Sequence, residues 1–99
     1  MEIQIHSVHF DADKKLLDFI EGKVKKLLQY RDTILAADVF LRLDNVQGVH
    51  NKIVEIKLDV SPTPLFAKKQ SKTFEEATDN VTDALRRQIT KQKEKKRGI

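Results

Sequence analysis

The sequence predicts an α+β domain in the order β-α-β-β-β-α, a four-stranded sheet with two helices packed on one face. Three observations predict it. Residues 13–30 and 73–89 carry apolar residues at helical spacing, whereas segments around 3–10, 37–43 and 54–60 alternate with the two-residue period of a strand. Three strand-like segments in a row between the helices should form an antiparallel meander. At 99 residues the chain has room for one domain and one modest core.

The elements follow in order. Ile3 and Ile5 share a face of the first strand; the pattern slips near Ser7 and resumes at Val8 and Phe10, which predicts a bulge. From 13 to 30, Leu16, Leu17, Ile20, Val24, Leu27 and Leu28 fall on one helical arc. Gly22 interrupts its polar side at a cost of about 1 kcal/mol relative to alanine. Ala37, Val39, Leu41 and Leu43, then Val54, Ile56, Leu58 and Val60, make two half-buried strands. Asp44-Asn45-Val46-Gln47-Gly48 between them reads as a hairpin connection longer than a tight turn. Ser61-Pro62-Thr63-Pro64 breaks the chain, and Leu65 to Lys69 is a short, weaker fourth strand. Thr73 with Glu76 three residues on is a capping box. Phe74, Ala77, Val81, Ala84, Leu85 and Ile89 then form the apolar stripe of the last helix. Phe40, Ile53 and Phe66 fall out of phase, on the outer sheet face, where scattered apolar side chains are ordinary. A ferredoxin-like fold would need a strand after residue 89, where only lysine-rich chain remains. The expectation is a single domain over 1–99, with a basic helical extension from about residue 90 that has nothing to bury.

Several chemistries find no residues. The chain has no cysteine, which removes disulfides, thiol catalysis and cysteine-ligated metals. His6 and His9 are the close histidine pair, but a spacing of three puts them on opposite faces of a strand, so they read as surface histidines and not as metal ligands. Gly22, Gly48 and Gly98 are isolated and form no phosphate loop. Glu75 and Glu76 are explained by the helix start. No catalytic constellation or cofactor site is expected, and the chain reads as a non-enzyme. No apolar run approaches the roughly 20 residues that span a bilayer, and no signal peptide opens the chain, so the expected address is the cytoplasm.

Charge is the informative feature. Residues 14–31, 68–72 and 86–97 together carry +13, although the net charge is only +4. Such sorting makes a strong local field and suits a polyanion. Lys15, Lys23 and Lys26 line one edge of the first helix's apolar arc, with Phe19 among them and no acid on that edge, which makes them the freer anion site. On the last helix, Arg87 and Lys91 lie on one flank, and Arg86, Lys93 and Arg97 on the other. Acids fill the first half of that helix and bases the second, which also suits its dipole. The aromatic signature of single-strand RNA modules is missing, so backbone and shape recognition of RNA is what remains.

Two stretches carry a resemblance. The first helix reads Phe19-Ile20-Glu21-Gly22-Lys23-Val24-Lys25-Lys26-Leu27-Leu28-Gln29-Tyr30, and the last reads Phe74-Glu75-Glu76-Ala77-Thr78-Asp79, then Asp83-Ala84-Leu85-Arg86-Arg87-Gln88-Ile89-Thr90-Lys91-Gln92-Lys93-Glu94-Lys95. Over essentially its whole length the chain resembles the bacterial hibernation-promoting factors, also called ribosome-associated inhibitors or ribosomal subunit interface proteins, in their short form. The resemblance implies the same β-α-β-β-β-α fold, akin to a double-stranded-RNA-binding domain. It implies a stress or stationary-phase factor that binds the 16S rRNA of the small ribosomal subunit near the messenger and transfer RNA sites, inhibits translation and stabilises idle ribosomes. A separate ribosome-dimerising factor is a further partner it allows. By motif it assigns phosphate contacts to Lys23, Lys26, Arg87, Lys91, Lys93 and Lys95, with Arg86 beside them. Lys68 and Lys69, more basic than is common in that strand, extend the surface. The alternatives are a generic double-stranded-RNA-binding module acting off the ribosome and a protein–protein regulator using the outer sheet face.

Overall fold

The computed structural model describes residues 1–44 and 51–97, the segment 93–97 as helix backbone alone. Its elements are β1 (Glu2–Ser7), α1 (Lys14–Lys25) continued by a 3-10 turn (Lys26–Gln29), β2 (Ala36–Leu43), β3 (Lys52–Asp59), β4 (Leu65–Ser71) and α2 (Phe74–Arg97). The strands form one mixed sheet in the order β1-β2-β3-β4. β1 lies parallel to β2, joined by a helical crossover, while β3 pairs antiparallel with both β2 and β4. This is the predicted α+β order.

Strand alternation sends Val39, Leu41, Val54, Ile56 and Leu58 to one face, where all are fully buried. Ile20 and Val24 of α1, Leu27 of the turn, and Ala77, Val81, Leu85 and Ile89 of α2 complete the same cluster. Each helix start is capped. Asp13 Oδ1 accepts from the Leu16 N–H at 2.8 Å, and Thr73 Oγ1 from the Glu76 N–H at 3.0 Å. Two threonines enter the core without orphaned hydroxyls, because Thr78 donates to the Phe74 carbonyl at 2.7 Å and Thr82 to that of Thr78 at 2.9 Å.

The structure departs from expectation in five places. The slip at Ser7 is the end of a strand and not a bulge: β1 keeps register from Glu2 opposite Ala36 to Ser7 opposite Leu41. His9 then turns the chain with φ 66°, and Phe10 stacks on Phe74 with ring centres 5.2 Å apart. The first helix tightens into its 3-10 turn after Lys25, with Leu27 still buried. β4 runs on to Ser71, which is buried and pairs with Lys52. Ile53, expected among surface apolars, is 8% exposed between its cross-strand neighbours Arg42 and Gln70, whereas Phe66 is 54% exposed. Finally, the chain beyond Ile89 does make contacts: Arg31 NH1 donates to Gln92 Oε1 at 2.6 Å. The hairpin connection read at 44–48 lies outside the described residues past Asp44.

Candidate nucleic-acid interface

Seating the apolar arcs of both helices on the sheet fixes where their flanks point. The Lys23–Lys26 edge of the first helix and the Asp79–Arg86 flank of α2 face each other across a groove of about 210 Å³, with Tyr30 at one end. Lys23 Nζ lies 2.9 Å from Asp79 Oδ1 and 5.6 Å from the centre of the Phe19 ring. Lys23 is therefore not the free cation expected. Its own helix edge carries no acid, but the facing helix supplies one, and helix packing decides that.

Asp83 plays the same part for the arginines. Its Oδ1 takes Arg86 at 2.7 Å and its Oδ2 takes Arg87 at 2.9 Å. The bond from Arg86 holds the Asp83 carboxyl below its ordinary 3.8, and the charge of Arg87 adds to that. Arg86 also sits over Tyr30, 6.0 Å from the ring centre. These pairs are partly exposed, so they orient the guanidinium groups more than they stabilise the fold.

The remaining candidate lysines divide into two groups. Among the described residues, Lys26, Lys69 and Lys91 have no carboxylate within ion-pair distance, and all three are exposed. Lys69 lines a second depression with Asn80, Asp83 and Arg87, on the helix-bearing side of the sheet. Lys68, one residue before it, points the other way. It stands opposite Glu55 in the strand register, 4.0 Å from that carboxylate. The two-residue period of β4 thus divides a pair that the sequence joins, and only Lys69 belongs with the helices. The side chains of Lys93 and Lys95 lie outside the described residues.

The outer sheet face has a different character. His6 stacks on Phe40 with ring centres 4.8 Å apart and lies 3.8 Å from Asp38. Arg42 lies 5.6 Å from the Phe40 ring centre and 3.2 Å from Glu55 Oε1, without its Nε–H directed at that oxygen. Charges here are mixed: among the described residues Lys57 is exposed and without an ion pair, but it shares a depression with Asp38 and Asp59, while Lys68 and Arg42 both approach Glu55. Among the described residues no three His, Asp or Glu side chains gather as a metal site, and no helix is long and apolar enough to cross a membrane.

Sequence reasoning missed Asp79 and Asp83 as countercharges and Tyr30 as the ring between the cations. It counted Arg31 as charge without giving it a place. Asp79, Tyr30 and Arg31 carry no local signal, because each gains its meaning from a partner on another element, whereas Asp83 was legible three and four positions before Arg86 and Arg87 on one helix.

Comparison with known proteins finds relatives along nearly the whole chain. The protein is 30% identical over 95 residues to the ribosome hibernation promoting factor of Escherichia coli K12, covering 96% of both chains. It is 27% identical to that of Azotobacter vinelandii, over 96% of this chain and 85% of that one. A solved ribosomal subunit interface protein from Coxiella burnetii shares the fold with a TM-score of 0.84 at 22% identity, over 94% of this chain and 98% of that one. Residues 3–97 match the model of the Sigma 54 modulation protein / S30EA ribosomal protein family. With nearly its whole length matched, the chain belongs to that family.

Proposed function

We propose that this protein is a non-enzymatic ribosome hibernation factor acting in the cytoplasm. It binds the 16S rRNA of the small subunit through the cationic flanks of its helices, near the messenger and transfer RNA sites, inhibits translation and stabilises inactive ribosomes. The observation that carries this reading is the set of unpaired, exposed Lys26, Lys69 and Lys91 on the helical side of the sheet. Lysines without carboxylate partners can each release a counterion on meeting a phosphate. The named relatives, ribosome hibernation promoting factors, support the ribosome as the place where this happens.

The test is co-sedimentation with purified ribosomes and separated subunits across a salt series, with an RNA duplex as competitor. Saturable binding to the small subunit that resists excess duplex and weakens with salt is the expected result. Lys26→Glu combined with Lys91→Glu should remove it without changing the fold. Binding surrendered equally to any duplex would instead make the chain a generic double-stranded-RNA module.

A further inference from the structure

The inter-helix groove does not end at Tyr30. The same ring borders a larger concavity of about 440 Å³, lined also by Leu28, Gln29, Arg31, Asp32, Thr33 and Gln92, with the Asp32 carboxylate outside ion-pair distance of Arg31. At its wall, Arg31 is tied to three separate parts of the chain. Its Nε donates to Thr33 Oγ1 at 3.2 Å, NH1 to Gln92 Oε1 at 2.6 Å, and NH2 to the Ser61 carbonyl. All three acceptors are neutral. Among the described residues, no carboxylate pairs with Arg31, in contrast to Lys23, Arg86 and Arg87.

We propose that Arg31 is a pre-oriented binding fork for an RNA backbone phosphate, one contact beyond the inter-helix groove. This rests on the RNA-binding reading above. A guanidinium has five N–H donors, and the three bonds here leave two of them for an incoming anion. Neutral acceptors hold its plane without consuming its charge. Fixing the group before the ligand arrives removes most of the side-chain entropy that a free lysine or arginine loses on binding, about 0.5–1.5 kcal/mol for an immobilised interface side chain. The planar fork suits a phosphate's paired oxygens. Tyr30, 38% exposed, lines both concavities and lies 6.0 Å from Arg86, so Arg31 and Arg86 border neighbouring concavities that share its ring.

The same bonds could be read as a clamp that only fastens α2 to the 61–63 segment. Gln92→Glu separates the two roles. It keeps an acceptor for Arg31 and strengthens the clamp, giving up only the 3.5 Å contact from Gln92 Nε2 to the Thr63 carbonyl, but it neutralises the fork. Gln4→Glu, on exposed β1, adds the same charge elsewhere. The measurement is equilibrium binding of the full chain to purified small ribosomal subunits across a salt series, with thermal midpoints recorded alongside. Gln92→Glu should keep its midpoint, bind about tenfold more weakly than Gln4→Glu, and reduce the log–log salt slope by about one. Arg31→Gln should show the same lost slope. If Gln92→Glu binds like Gln4→Glu while Lys26→Glu and Lys91→Glu still weaken binding, the fork is refuted and the RNA reading survives. If the unaltered chain shows no salt-sensitive binding, both fall.

Discussion

Asp79→Asn should make the protein a tighter RNA binder at little cost to its fold. Asp79 occupies Lys23 at 2.9 Å, with side chains 52% and 34% exposed respectively. An exposed pair of this kind contributes about 0–1 kcal/mol. The carboxylate also complements the N-terminal half of α2, worth a few tenths of a kcal/mol at most at that distance from the end. The expected stability loss is therefore below about 1 kcal/mol. For binding, a phosphate sharing Lys23 would stand about 6 Å from Asp79, where repulsion in water is about 0.7 kcal/mol. Removing it is worth about threefold in affinity before screening. Releasing Lys23 as a full phosphate contact would also steepen the salt slope, by up to about one. Urea denaturation gives the first quantity, and small-subunit binding across a salt series gives the others. If Asp79→Asn binds no better than the unaltered chain, and Lys23→Ala weakens binding as much as Lys26→Ala, the reasoning fails: Lys23 would then act freely despite its partner.

Three further outcomes follow from the same geometry. Because Arg86 holds Asp83 below 3.8, the ionised carboxylate contributes stability above that value, which is lost as pH falls through the lowered one. Asp83→Asn should flatten the acid limb of a stability titration below about pH 4; an unaltered limb counts against the pairing. Leu85→Ala removes a fully buried side chain between α2 and the sheet and should cost about 2–5 kcal/mol in urea unfolding. Leu35→Ala, at 65% exposure, should stay within about 0.5 kcal/mol. Phe40→Ala with Phe66→Ala should leave RNA binding unchanged; loss of binding there, with the lysine variants silent, would move the interface to the outer sheet face.

The element order was legible because each element announces itself over a few consecutive residues. The period of Ile20, Val24 and Leu27 marks a buried helical arc, and that of Val39 and Leu41 a strand. Thr73 three residues before Glu76 marks a helix start. Ends were less legible. His9 leaves the strand through a left-handed backbone that mimics a bulge in the apolar pattern, and Ser71 extends β4 only because β3 offers Lys52 as a partner. At the candidate site, the sequence showed bases gathering on two helices, but not which of them meet a countercharge from another element, as Lys23 meets Asp79.

What the sequence by itself determined was therefore the α+β order, the apolar faces and the accumulation of positive charge on two helices, all properties of near neighbours along the chain. What only the tertiary structure decided was the state of those charges whose partners stand on other elements. Lys23 meets Asp79 and Arg31 meets Gln92 across 56 and 61 positions of sequence respectively, and Lys68 parts from Lys69 when β4 pairs with β3. Charges act through distances of a few ångströms, and those distances exist only once the helices are seated on the sheet.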